Sequence, residues 1–235
     1  MTGVDPAPDR GAAPLLSRWL LAFLLANIAS AVVVSAAGHA GSSPADIPTW
    51  VFGVAAVVMW SAQLWVVARA LEAEGVGLLA GTAFTFRARD LAGIPLGIAS
   101  QMLLVTAVMW PLARLFPGAF DPERVAERAD DLVSSASGGW MVVLAGVVVV
   151  GAPLVEEIVY RGWLQPRLGT AWGNAVGLGV VAVLFAAIHL QPVEFPGLLA
   201  FAVVLGLTRA RSGRLGLPVV THAAFNATGL LLAAM

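Results

Sequence analysis

The 235-residue chain is 59% hydrophobic and only 11% charged, with a formal net charge of -1 and no cysteine. An ordinary soluble domain carries about 25% charged residues, so this chain could not cover a globular surface with polar groups, and most of it is solvated by lipid. The charge balance excludes the basic footprint of a nucleic-acid binder. The missing thiols exclude disulfides, thiolate nucleophiles and cysteine-ligated metal, leaving oxygen and imidazole as the available chemistry.

In chain order, residues 1–14, with Pro6, Pro8 and Pro14, read as a disordered cytoplasmic tail, and 15–235 as one membrane domain. Seven apolar stretches follow, at 17–38, 48–68, 91–113, 138–160, 172–190, 195–208 and 215–235. Crossing the hydrocarbon core takes about 20 helical residues, and the sixth stretch is the least able to do so, with Pro192 and Pro196 fixing its start. Continuous apolar runs without period-two alternation select helices over a barrel, so the fold class is all-α, a polytopic transmembrane bundle of about seven helices. Arg10 and Arg18 before the first run resemble a signal peptide. The run exceeds the usual h-region of roughly 7 to 15 residues, which favours a retained anchor. Residues 75–86 are apolar but too short to span and belong in the interface. Residues 121–137 open with Asp121-Pro122-Glu123, an N-cap followed by Pro at the first helical position. They set Val125, Leu132, Val133 and Ala136 to one side, as in an interfacial amphipathic helix.

Trp19, Trp50, Trp110, Trp140, Trp163 and Trp172 fall near the ends of these runs, at the expected headgroup level. With the N-terminus cytoplasmic, the inner segments hold Arg10, Arg18, Arg69, Arg87, Arg89, Arg161, Arg167, Arg209, Arg211 and Arg214. The outer ones hold Arg114, Arg124 and Arg128. The positive-inside bias therefore predicts a multi-pass plasma-membrane protein with its N-terminus in and its C-terminus out.

Ionisable groups inside apolar runs carry the functional signal, since a charge at the bilayer centre costs at least about 2.5 to 3.5 kcal/mol. Three strings stand out: Glu156-Glu157-Ile158-Val159-Tyr160-Arg161, Phe185-Ala186-Ala187-Ile188-His189, and His222-Ala223-Ala224-Phe225-Asn226. Glu157 and Arg161, at i and i+4 with the acid N-terminal, form a favourable ion pair. Glu156 is rotated by about 100° and points elsewhere in the bundle, free to act as a base. Phe185 can stack on His189, and His189 can share a water with Glu156. His222 and Asn226, one turn apart, can converge on one oxygen as an oxyanion hole. Each group also has a plainer reading: a salt bridge locking helices, a packing histidine, interhelical hydrogen bonding. Tyr160 reads as an interfacial ring.

The three strings resemble the EExxxR, FxxxH and HxxxN motifs of the CPBP family, the CAAX prenyl endopeptidases and bacteriocin-processing enzymes also called Abi proteins. The resemblance covers residues 138–235 and departs at no motif position. It implies a seven- or eight-helix bundle with a polar cavity and an intramembrane endopeptidase acting through a glutamate-activated water. The catalytic residues would be Glu156, His189, His222 and Asn226, supported by Glu157, Arg161 and Phe185, with no cofactor. The partners would be the bilayer and a peptide or protein substrate, membrane-associated or prenylated among the possibilities. A zinc endopeptidase using Glu156, His189 and His222 is one alternative, although the HExxH pattern is absent. A non-catalytic immunity, scaffold or transport protein is the other. One expectation is internally strained. At about 1.5 Å per residue from the cytoplasmic ends at Arg167, Trp172 and Arg214, Glu156 lies roughly 16 Å deep, His189 25 Å and His222 12 Å.

Overall fold

The computed structural model describes residues 11–120 and 130–235, and among these no strand occurs. The helices are α1 (Ala12–Ala36), α2 (Thr49–Glu72), the single turn α3 (Leu78–Gly81), α4 (Ala88–Leu115), α5 (Trp140–Trp172), α6 (Asn174–Ala187), α7 (Phe195–Ser212) and α8 (Gly216–Ala233). Six are long and apolar enough to cross a membrane, and α6 is the shorter seventh. The short member is thus the fifth run and not the sixth. Arg209 and Arg211 end the apolar reading of α7, but its last turn stays helical around them. α6 is bounded by Gly173 at φ 92 and by Leu190, a non-glycine residue at φ 54.

Large apolar side chains face outward, with Leu103 69% and Val142 75% exposed, as expected where the surrounding medium is as apolar as the side chains. Cohesion therefore comes from close packing and internal hydrogen bonds. The buried core joins Val67 and Leu71 of α2, Tyr160, Trp163, Leu164 and Leu168 of α5, Phe185 of α6, and Phe201 and Leu205 of α7. α1 is peripheral and packs mainly on α2. α4 lies against α8 through Gly93 and Gly97. A Cβ at Gly93 would sit 2.7 Å from the Thr221 nitrogen, and one at Gly97 2.7 Å from the Ala224 Cβ. This small-xxx-small seam lets the two backbones touch.

At one end of the bundle the connections are tied together. Leu215 N–H donates to the Ala83 carbonyl (3.1 Å) and Gly216 N–H to that of Thr85 (3.0 Å). The Arg167 Nη2 donates to Glu74 (2.6 Å), and Arg214 is ion-paired with buried Asp90. The stretch 75–86 is therefore a packed connection holding α3, with Leu79 and Phe86 exposed at its surface. Of the expected amphipathic segment, 121–129 lies outside the described residues. Residues 130–134 are helical, Leu132 and Val133 are half-buried and Ala136 is buried. Most of the expected tail, residues 1–10, also lies outside them, and α1 begins at Ala12.

Two aromatic placements and one basic one are corrected by α5. This helix runs from Trp140 to Trp172, about 50 Å at 1.5 Å per residue against a hydrocarbon core of about 30 Å, so its middle falls near Glu156 and residues 160–163 lie within about 11 Å of it, inside the core. Trp163 and Tyr160 are core residues, 0% and 2% exposed, and do not sit at a headgroup boundary. Arg161 is fully buried with them, so the inner arginine tally loses one member. Trp50, Trp110, Trp140 and Trp172 remain about half-exposed.

Candidate active site

The depth conflict resolves in the α5–α6 hairpin. α5 runs five residues past Arg167 before turning at Gly173, so the two arms must be measured from that turn. Glu156 is 17 residues before it and His189 16 after it, which makes them level. Packing confirms the register: Gly177 abuts the backbone of Gly169, and the Arg161 guanidinium lies 4.3 Å from the centre of the Phe185 ring. α7 runs parallel to α5, with Arg161 Nη2 donating to the Ala202 carbonyl (3.2 Å) and Gln165 Nε2 to that of Gly206 (3.0 Å).

Glu157 and Arg161 form the expected ion pair at 3.1 Å, and both side chains are 0% exposed. The same Glu157 oxygen lies 2.9 Å from His222 Nδ1, and a carboxylate oxygen accepts, so the proton is on Nδ1. His222 Nε2 then faces Glu156, 3.8 Å from its carboxylate, whose side chain keeps 19% exposure. Glu156 is therefore the carboxylate that stays partly accessible, and Glu157 is the one enclosed in the ion-paired cluster.

His189 bonds through Nδ1 to the carbonyl of Phe185, one turn back, at 2.8 Å. A carbonyl can only accept, which places the proton on Nδ1 and makes Nε2 the accepting nitrogen of the neutral ring. Phe185 touches both imidazoles, with ring centres 5.0 Å from His189 and 5.7 Å from His222. It organises two histidines, one more than its position one turn before His189 suggests. Phe201 of α7 closes the other side of His222 at 5.5 Å and itself stacks on Phe225 at 3.6 Å. Sequence reasoning missed Phe201. An apolar residue in an apolar helix carries no signal of what it touches.

Asn226 departs from the simplest expectation. Its Nδ2 donates to the carbonyl of Val148 on α5 (2.8 Å), so one of its two N–H groups clamps α8 to α5 and the second is the one left for chemistry. That carbonyl lies in a stretch, Gly146–Gly151, where α5 widens to π-helical turns. A second widened stretch, Glu157–Leu164, carries the ion pair, and there the Arg161 carbonyl accepts from Arg209 Nε of α7 (3.0 Å). Single π turns inside α-helices are frequent at functional sites. Among the described residues no group of three His, Asp or Glu side chains is placed to hold a metal ion. Of the Glu156/His189/His222 set of the zinc alternative, His222 Nε2 lies 3.8 Å from the Glu156 carboxylate, and each imidazole turns its Nδ1 to a protein oxygen.

Fold and site together define a polytopic helical membrane protein whose last four helices enclose a buried glutamate, arginine and histidine cluster. The family described as type II CAAX prenyl endopeptidase Rce1-like matches residues 138–228, the segment holding all three motifs. The resemblance to the CAAX protease and bacteriocin-processing family is therefore borne out over that segment. Neither the curated proteins nor the solved structures contain a match.

Proposed function

We propose that the protein is an intramembrane endopeptidase that hydrolyses peptide bonds with a water activated by Glu156. The observation that carries this reading is the division of labour between adjacent carboxylates. Glu157 is fully buried and engaged through Oε1 by both Arg161 and His222, while Glu156 faces His222 Nε2 across a 3.8 Å gap and remains partly accessible. A salt bridge serving only to lock helices needs one carboxylate, and a second one in lipid is costly without a task.

The water would donate one hydrogen to Glu156 and the other to His189 Nε2, and its oxygen would attack the scissile carbonyl carbon while Glu156 takes the proton. The carbonyl oxygen becomes an oxyanion, met by the second N–H of Asn226 and by His222 Nε2–H when that ring is doubly protonated. Glu156 then passes its proton to the leaving amine as the C–N bond breaks. Arg161 and Glu157 hold the histidine, and Phe185 and Phe201 fix the ring planes. Substrates would be membrane-associated peptides or proteins, prenylated tails among the candidates by family likeness, entering from the cytoplasmic half with the N-terminus inside. The test is the membrane peptidome of cells carrying the intact protein against cells carrying Glu156→Gln. The variant should fold normally, lose every product and accumulate the precursors. Unchanged products would sink the assignment.

A further inference from the structure

At the arginine-rich end of the bundle lies a cavity of about 200 Å³ lined by Gln165, Pro166, Asn174, Arg209 and Ala210. It is separate from the glutamate cluster, none of whose members lines it. Pockets for drug-sized ligands run from about 300 to 1,000 Å³, so this one suits a small polar group.

Its walls specify what that group must offer. Arg209 is oriented by donating its Nε–H to the Arg161 carbonyl (3.0 Å), and among the described residues no carboxylate pairs with its two terminal nitrogens. Asn174 begins α6, whose N-cap is Gly173 and has no side chain to satisfy the first-turn N–H groups. An uncapped helix N-terminus beside an unpaired guanidinium is suited to a phosphate. Gln165 supplies an independent observation. It is 8% exposed, its Nε2 is committed to the Gly206 carbonyl, and its Oε1 is buried with no partner among the described residues. A buried acceptor left unpaired requires a donor from elsewhere. The ligand must therefore carry anionic oxygens and, a few ångströms away, an N–H or O–H. Trp172, about half-exposed at the end of α5 two residues before Asn174, puts this region at headgroup depth.

We propose that this cavity binds the head group of a phospholipid whose phosphodiester is followed by a hydrogen-bond donor, as in phosphatidylethanolamine or phosphatidylglycerol. The phosphate lies against Arg209 and the first turn of α6, and the ammonium or hydroxyl reaches Gln165 Oε1. Phosphatidylcholine carries the same phosphate without an N–H or O–H and is the natural control.

Purified protein in detergent would be titrated with each of the three lipids and with inorganic phosphate, retention being read by native mass spectrometry and by the shift in melting temperature. Phosphatidylethanolamine or phosphatidylglycerol should be held roughly tenfold or more tightly than phosphatidylcholine. Arg209→Gln should weaken all three lipids by a similar factor. Gln165→Leu should erase the preference over phosphatidylcholine, and Ala210→Phe, which fills the cavity and keeps the polar groups, should abolish retention with the unliganded melt unchanged. Equal retention of phosphatidylcholine by the intact protein would overturn the proposal, as would unaltered binding in both Arg209→Gln and Ala210→Phe. Inorganic phosphate competing as well as the lipids would show a free-phosphate site and overturn the headgroup assignment. None of these readouts depends on peptidase activity.

Discussion

Removing the charge of Glu157 tests whether the buried pair exists to neutralise itself or to hold the site. Glu157→Gln leaves an amide oxygen that can still accept from His222 Nδ1, but strands the Arg161 guanidinium in a fully buried setting where Nη2 keeps only the Ala202 carbonyl and Nε has no partner. Breaking a buried pair by deleting one partner costs about 3 to 5 kcal/mol, and the surviving hydrogen bond puts this case near 3, or roughly a 150-fold loss in the folding constant. Arg161→Met should cost a similar amount by stranding Glu157. The double variant removes both charges and should be clearly more stable than the sum of the singles, with a coupling of about 2 kcal/mol or more. Unfolding of all four proteins in mixed micelles, followed by circular dichroism, supplies the cycle. Additivity within about 0.5 kcal/mol would refute the argument that each charge is tolerated because of the other.

The α4–α8 seam predicts that Gly97→Ala lowers stability by about 1 to 3 kcal/mol, because its methyl meets the Thr221 carbonyl and Ala224, whereas Gly179→Ala, with nothing near its Cβ, should melt as the parent does. Asn226→Ala should lower kcat by about 100-fold or more with KM little changed, and strong chelators should leave the intact enzyme active. Activity lost on chelation and regained with zinc, in a protein whose Asn226→Ala variant stays near normal, would replace the glutamate mechanism with a metal one.

The helices and the three polar strings were legible because lipid makes both conspicuous: apolar length marks a span, and a carboxylate or imidazole inside it marks a task. The ion pair of Glu157 with Arg161 was readable from spacing alone. Depth was not, because the last apolar residue of α5 is not its last helical residue, and Arg161, Gln165 and Arg167 continue the helix after the hydropathy falls. The same extension buries Tyr160 and Trp163, which hydropathy boundaries assign to the interface. The Gly93 and Gly97 seam was not read from the sequence, because a seam needs its partner helix and nothing local points to Thr221 and Ala224. The bond from Asn226 to Val148 was hidden for a related reason. It depends on a widened turn in another helix.

Those widened turns change how α5 should be read on a helical wheel. A π turn takes up about one residue more than an α turn, so each one advances the angular phase of everything downstream by about 100°. α5 contains two such stretches, over Gly146–Gly151 and Glu157–Leu164. A wheel drawn from Trp140 at constant pitch therefore points Gln165 and Arg167 in the wrong direction by about 200°. The length of α5 is in this sense part of its chemistry. Straightening Glu157–Leu164 to an ordinary helix without a deletion would swing Gln165 off Gly206 by about 100°, whereas deleting one residue there would restore α pitch and keep Gln165 in place.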